Sequence, residues 1–285
     1  MSLRKSTLTG VSAIALSLGL ACAAQATVLP VTNLGFNMLT TPLTQAKDFF
    51  TTVQPTNWSI GTAPGSNLIY VGQQGSESFE DQSHGNIYGV YSNPGFSVTV
   101  PAGTNFYQAD GNPAFESTIF QTIPNLTAGT TYTLQFQQAA GQQGFPTGFS
   151  GATTEQWKVF LGVGGIGTNC GPNPCTVTGT ANNQEEDSPL MSDNSMQNVD
   201  WNNVNLSFTP TMADLGGHAT GSAILTFLAW GDNGSTTNLP PTVFLEGVNT
   251  TPTVPEPATL SLLGVGLLGL GARGLRRRAT RNAAA

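Results

Sequence analysis

The chain has 285 residues, with nine basic side chains against sixteen acidic ones and a net charge of −7. Seven of the nine bases lie at the two ends, so residues 27–252 hold fifteen acids and only two lysines, Lys47 and Lys158. Such a surface repels nucleic acid and anionic membrane, which excludes nucleic-acid binding, and it tolerates cations such as Ca²⁺.

In chain order, the first segment opens on Arg4 and Lys5 and continues through the apolar Val11-Ser-Ala-Ile-Ala-Leu-Ser-Leu-Gly-Leu20. It closes on Ala24-Gln25-Ala26, a small-x-small cleavage signature. Charge, apolar run and small residues in that order make residues 1–26 a secretory signal peptide, read by the Sec translocon and signal peptidase, with Thr27 as the new start. Cys22 raises a lipidated-cysteine alternative, which Gly19 three places before it disfavours. Residues 42–53 offer the one helical pattern, with Leu43, Ala46, Phe49 and Val53 on one side. Beyond them strand signals dominate: short runs at 68–71, 87–91, 96–100 and 115–123, then clean apolar–polar alternation at 132–136, 157–163 and 204–208. Period two with one apolar face marks an antiparallel sheet packed on one side. Residues 223–230 are nearly all apolar and read as a central strand; 243–248 read as the last. Turn formers separate these runs, at Asn93-Pro-Gly, Pro101-Ala-Gly, Asp110-Gly-Asn-Pro, 126–129 and Asp232-Asn-Gly. Many short strands without long helices give an all-β antiparallel sandwich over residues 27–252, which suits one domain.

The tail differs in kind. Residues 258–272 carry no charge. As a helix they span roughly 23 Å at about 1.5 Å per residue, somewhat less than the roughly 30 Å of a bilayer core. Snorkelling by Arg273 helps close the gap. Arg276, Arg277, Arg278 and Arg281 then supply the cytoplasmic anchor that the positive-inside rule expects. A short transmembrane helix therefore follows Pro255-Glu256-Pro257. That tripeptide, the apolar span and the basic cluster, in this order and beside a signal peptide, resemble the PEP-CTERM sorting signal of Gram-negative bacteria over residues 253–281. The resemblance implies a client of an exosortase, a membrane enzyme that processes such tails, with transient inner-membrane anchoring before release to the envelope or exterior. The two prolines hold the motif extended.

A second resemblance covers the middle of the chain. The stretch 119–136 is similar to the strand–turn–strand phrase of jelly-roll carbohydrate-binding and galactose-binding-like domains. Asn33-Leu-Gly-Phe-Asn37 sits where those domains carry an early Asn-x-x-Phe-Glu phrase, and Trp58 follows. Pro241-Thr-Val-Phe-Leu-Glu-Gly-Val248 resembles their closing strand. The resemblance implies a jelly roll and, from its first and last phrases, a structural Ca²⁺ site at Asn37 and Glu246. Asparagine in the first position, where an acid is usual, departs from that pattern. No other cofactor is implied.

Chemistry-bearing residues are sparse. Once Cys22 leaves, Cys170 and Cys175 remain, and in an oxidising exterior they form a loop-stapling disulfide. A zinc site needs two further ligands, and His84 and His218 are distant in sequence. Glu77, Glu80 and Asp81, and Glu185-Glu186-Asp187, supply paired acids for a hydrolase, but they lie in turn-like polar stretches and read as solvated loops. Gly162-Val-Gly-Gly-Ile-Gly167 lacks the lysine and helix of a phosphate loop and reads as a strand end and loop. Trp58, Tyr70, Tyr88, Tyr91, Phe106, Tyr107 and Trp157 are available to stack on sugars, against the competing expectation that each fills the core. The reading is a non-catalytic exported surface or matrix protein, associated with exopolysaccharide in a biofilm. A carbohydrate-binding module with a defined glycan site is the alternative, and a glycan-active hydrolase the weaker one.

Overall fold

The computed structural model describes residues 26–33, 35–50, 52–61, 69–78, 89–96, 104–112, 114–144, 151–169, 176–232 and 241–247. Among them the secondary structure is β apart from a single 3-10 turn at Ala213–Leu215. The expected cleavage residue Ala24, the pair Cys170 and Cys175, and residues 253–281 with their prolines and arginines lie outside the described residues. No helix among the described residues is long and apolar enough to cross a membrane.

The strands are β1 (Thr27–Val28), β2 (Lys47–Phe49), β3 (Ser59–Ile60), β4 (Ile69–Gln73), β5 (Asn105–Asp110), β6 (Thr118–Thr127), β7 (Tyr132–Gln142) and β8 (Thr153–Gly162). They continue with β9 (Gly167–Asn169), β10 (Thr176–Thr178), β11 (Asn183–Asp187), β12 (Met191–Asp193), β13 (Asn198–Phe208), β14 (Thr220–Asp232) and β15 (Pro241–Glu246). In one sheet β13 pairs with β7, β7 with β15, and then come β5, β4 and β2; β1 lies parallel to the start of β7. In the other, β11 and β12 pair in turn along β8, followed by β14, β6 and β3. The strands β5, β6, β7 and β8 alternate between the sheets, and so do β13, β14 and β15. This crossing pattern is the double Greek key of a jelly roll, and every pair other than β1–β7 is antiparallel among the described residues.

Alternation places the core between the sheets. Leu134 and Phe136 on β7, Tyr107 and Ala109 on β5, and Val243 and Leu245 on β15 face Trp157, Val159 and Leu161 on β8 and Leu225 and Phe227 on β14. Phe227 sits at the centre, its ring 5.3 Å from that of Phe136, 6.0 Å from Trp157 and 6.1 Å from Trp58. Edge-to-face aromatic pairs of this kind add to the burial of area. The Trp157 indole N–H crosses the sandwich to the Phe244 carbonyl at 3.0 Å, tying one sheet to the other.

The expected strands at 132–136, 157–163, 204–208 and 223–230 are all present, each longer than its alternating segment. β14 runs between β8 and β6, so the nearly all-apolar run is a central strand as expected. The helix expected over 42–53 is absent. Here β2 pairs with β4, and a period of two prevails: Lys47 and Asp48 point to opposite faces, yet both are buried. Asp48 also accepts from the Thr44 amide at 2.6 Å and its hydroxyl at 2.9 Å, a local turn that competes with helix. The Glu185-Glu186-Asp187 segment is not a loop. It forms part of β11, an exposed edge strand along β8, where acidic side chains discourage pairing with other chains.

Candidate functional site

Several residues singled out in the sequence meet around the start of β5, at Thr104 and Asn105. Asn33 donates through Nδ2 to the carbonyls of Met38 (2.8 Å) and Thr56 (3.0 Å), closing the turn that carries Phe36. The Phe36 ring packs 5.5 Å from Trp58, whose indole N–H donates back to the Asn33 carbonyl at 3.1 Å. The early phrase and Trp58, far apart in sequence, are thus one plug at the mouth of the sandwich. Asn37 is exposed at its edge and lines an open depression of about 500 Å³ with Leu39, Pro42, Leu43, Gln73 and Asn105. Its Oδ1 accepts from the Asn105 amide at 3.0 Å.

Glu246 approaches the same strand end from beneath. It is 1 % exposed, and the Thr104 hydroxyl donates to its Oε1, while Oε2 has no donor among the described residues. Burial lifts its carboxyl to about 8; the Thr104 bond offsets part of the rise and the nearby Glu77 adds to it. Asn37 and Glu246 therefore bracket Thr104 and Asn105, each with an oxygen already committed to that strand.

The face of the β7–β15–β5–β4 sheet that turns away from the core carries a second apolar cluster: Phe106, Phe244, Trp201, Ala139 and Val90, with Phe96 packed on it. Lys47 lies under it, 5.7 Å from the Phe106 ring, and donates to the Glu77 carbonyl at 2.8 Å. The Trp201 indole donates to Glu77 Oε1 at 3.1 Å. Glu77 is therefore a buried acceptor and not the solvated loop acid that its polar neighbours implied; Glu80 and Asp81 lie outside the described residues. Trp201 drew no notice in the sequence because the bulge between Val199 and Asn202 breaks the alternation that would have placed it.

The aromatic candidates divide plainly. Trp58, Tyr70, Phe106, Tyr107 and Trp157 are each at most 1 % exposed. Tyr91 is half-buried, and Tyr88 lies outside the described residues. None of the five buried rings offers a face to a sugar. Gly162 ends β8 and Gly167 begins β9, so the glycine-rich stretch is a strand end and loop as expected. His218 is exposed. No group of three or more His, Cys, Asp or Glu side chains gathers at metal-binding distance among the described residues.

Further carboxyls are buried. Asp110 is 2 % exposed and burial lifts it to about 7, against the Asn112 amide that donates to its Oδ1 at 2.7 Å. Asp193 is likewise lifted to about 7 by burial. Glu155, fully buried, is pushed up by burial and by the Asp193 charge, with the Thr153 hydroxyl opposing. All three of these acids are enclosed by the fold.

Fold and site together define a jelly roll whose five described buried aromatic candidates serve packing. Residues 253–278 match the PEP-CTERM protein-sorting motif. The motif marks an exported protein processed at the membrane by an exosortase. Among curated proteins no sequence matches the chain. Among solved structures, a Stig cyclase, Fisc, from Fischerella sp. TAU is similar at 16% identity and a TM-score of 0.37, covering 79% of this chain and 100% of its own. TmCBM61, solved with β-1,4-galactotriose, is similar at 12% identity and 0.30, covering 72% and 93%. The CBM22-2 xylan-binding domain of Paenibacillus barcinonensis Xyn10C is similar at 11% identity and 0.31, covering 71% and 98%. The jelly-roll assignment rests on the strand order above, and these distant likenesses say nothing of a ligand.

Proposed function

We propose that this chain is a non-catalytic component of the cell surface or extracellular matrix, resident with exopolysaccharide. Its route is Sec export, removal of residues 1–26, temporary anchoring by the tail and release by an exosortase. The observation that carries this reading is the match of residues 253–278 to the PEP-CTERM motif. Pro255, Glu256 and Pro257 are the recognition element, the apolar run is the anchor, and Arg273, Arg276, Arg277 and Arg278 hold the inner face. Two structural facts fit processing at both ends. Among the described residues hydrogen bonding starts at Thr27, whose amide donates to the Thr131 carbonyl at 2.9 Å, so a cut after Ala26 leaves β1 whole. The last of the described strands, β15, ends at Glu246, ahead of the motif. Burial of the aromatic candidates supports a structural role over a glycan-reading one, and enclosure of the acids argues against hydrolysis.

Replacing Pro255-Glu256-Pro257 with alanines tests the reading. The full-length precursor is expected to accumulate in the membrane fraction, with little reaching the exterior. Processing and release at the wild-type rate would overturn it.

A further inference from the structure

At one end of the sandwich interior, β8 and β12 run antiparallel with Thr153 opposite Asp193 and Glu155 opposite Met191. Met191 and Trp157 belong to the main core, so alternation turns Thr153, Glu155 and Asp193 inward as well. Glu155 and Asp193 are then diagonal neighbours on one face, a spacing that side chains of this length bridge. They are 0 % and 2 % exposed, and apart from the Thr153 hydroxyl beside Glu155 their four carboxylate oxygens have no hydrogen-bond donor among the described residues.

A neutral oxygen joins them from the opposite sheet. Gln138 on β7 is fully buried and spends Nε2 on the Pro189 carbonyl (2.8 Å) and Asn202 Oδ1 (3.3 Å), leaving Oε1 without a donor. Asn202 in turn lies 3.7 Å from the sulfur of Met191, the residue opposite Glu155. Gln142, one turn of the pleat further on, holds the Thr153 hydroxyl at 3.0 Å. The orphaned amide oxygen and the two carboxyls thus share one end of the interior.

A buried carboxyl either keeps its proton or takes up a compensating positive charge, and a cation shared by two neighbouring carboxyls is the second solution. The protein side chains cannot supply it here. Of the two lysines in residues 27–252, Lys47 binds the Glu77 carbonyl under the far face of the other sheet. Lys158 lies on the outward face of β8 with Glu185 at 3.3 Å and Asp187 at 4.0 Å.

We propose that Glu155, Asp193, Gln138 Oε1 and the Thr153 hydroxyl form a Ca²⁺ site that pins β12 and the end of the sandwich. All four groups present hard oxygens, the Thr153 hydroxyl being already held by Gln142, and such a set excludes soft-metal preference. Ca²⁺ accepts a mixed, irregular shell of carboxylate and neutral carbonyl oxygens, whereas Mg²⁺ demands a small regular octahedron and keeps its waters. The site is distinct from Asn37 and Glu246. An exterior address supplies the ion at the concentrations that extracellular Ca²⁺ modules use, with Kd on the order of 10⁻⁴ to 10⁻³ M.

The test uses the purified full chain stripped with EDTA. Ca²⁺ should raise its Tm saturably with one ion per chain. Tb³⁺ should show luminescence on tryptophan excitation, because Trp157 lies two residues from Glu155 on the same inward face, and Ca²⁺ should quench it. Glu155→Gln and Asp193→Asn should each weaken Ca²⁺ binding by about tenfold or more, and Glu185→Gln, on the exposed edge, should leave it unchanged. The isosteric amides remove buried charge, so the metal-free variants should fold. If either does not, the wild-type stoichiometry and sensitised luminescence decide the matter. A Tm indifferent to Ca²⁺, no saturable Tb³⁺ signal, or binding that survives in the Glu155→Gln, Asp193→Asn double variant would overturn the site.

Discussion

Asp110 and Glu246 are carboxylic acids held where water does not reach, and each keeps its proton far above the ordinary carboxylate range, to about 7 and about 8. In the unfolded chain they titrate near 4. Their contribution to stability is therefore fully present below about pH 4 and is lost as pH rises through the folded values. Between those limits each such group removes up to about 1.4 kcal/mol of stability per pH unit. In EDTA, urea unfolding should show stability falling from pH 5 to pH 8. Asp110→Asn, which keeps an oxygen for the Asn112 amide, should flatten that fall; an unchanged slope would contradict the burial argument. At this scale the sequence was a poor guide. Asp110 begins a Gly-Asn-Pro phrase that read only as a turn, and Glu77 lies in a polar stretch that read as solvated. Burial of a polar residue depends on what folds over it, and no local pattern records that. The aromatic residues show the opposite case: the expectation that each fills the core holds for Trp58, Tyr70, Phe106, Tyr107 and Trp157.

Elements were legible in proportion to their apolar contrast. β7, β8 and β13 have one dry face and one wetter one, so their alternation survives in sequence, while β14, buried on both faces at its centre, shows as an unbroken apolar run. β10 and β11 belong to the rim, lack a buried face and carry no such signal. β2 misled for a different reason: its apolar neighbours fall at helical spacing, yet Lys47 takes a strand register against Gly72. That pairing leaves a tight fit. A Cβ at Gly72 would lie 2.3 Å from the Phe106 ring, and that ring is fixed between Lys47, Trp201 and Phe244. Gly72→Ala should therefore cost about 1–3 kcal/mol by overpacking, measured as a lower urea midpoint at unchanged slope. A midpoint equal to that of the wild type would mean that the outward cluster is loosely packed.

The whole molecule joins a robust jelly roll to terminal segments that direct its traffic. The jelly roll is explained by packing: two sheets close over one aromatic core. For the tail we propose a topological role, in which the apolar span followed by arginines stops transfer with the cations inside. These tail signals were legible in the sequence because they are read linearly, by order of charge, apolar run and motif, without a fold to hide them. We propose on the same account that Cys170 and Cys175 pair as a disulfide, a bond that an oxidising exterior favours. The most direct measurement is the intact mass of the protein recovered from outside the cell. The account predicts a chain that begins at Thr27 and has lost Arg273, Arg276, Arg277 and Arg278. A released chain that still carries the arginine cluster would contradict it.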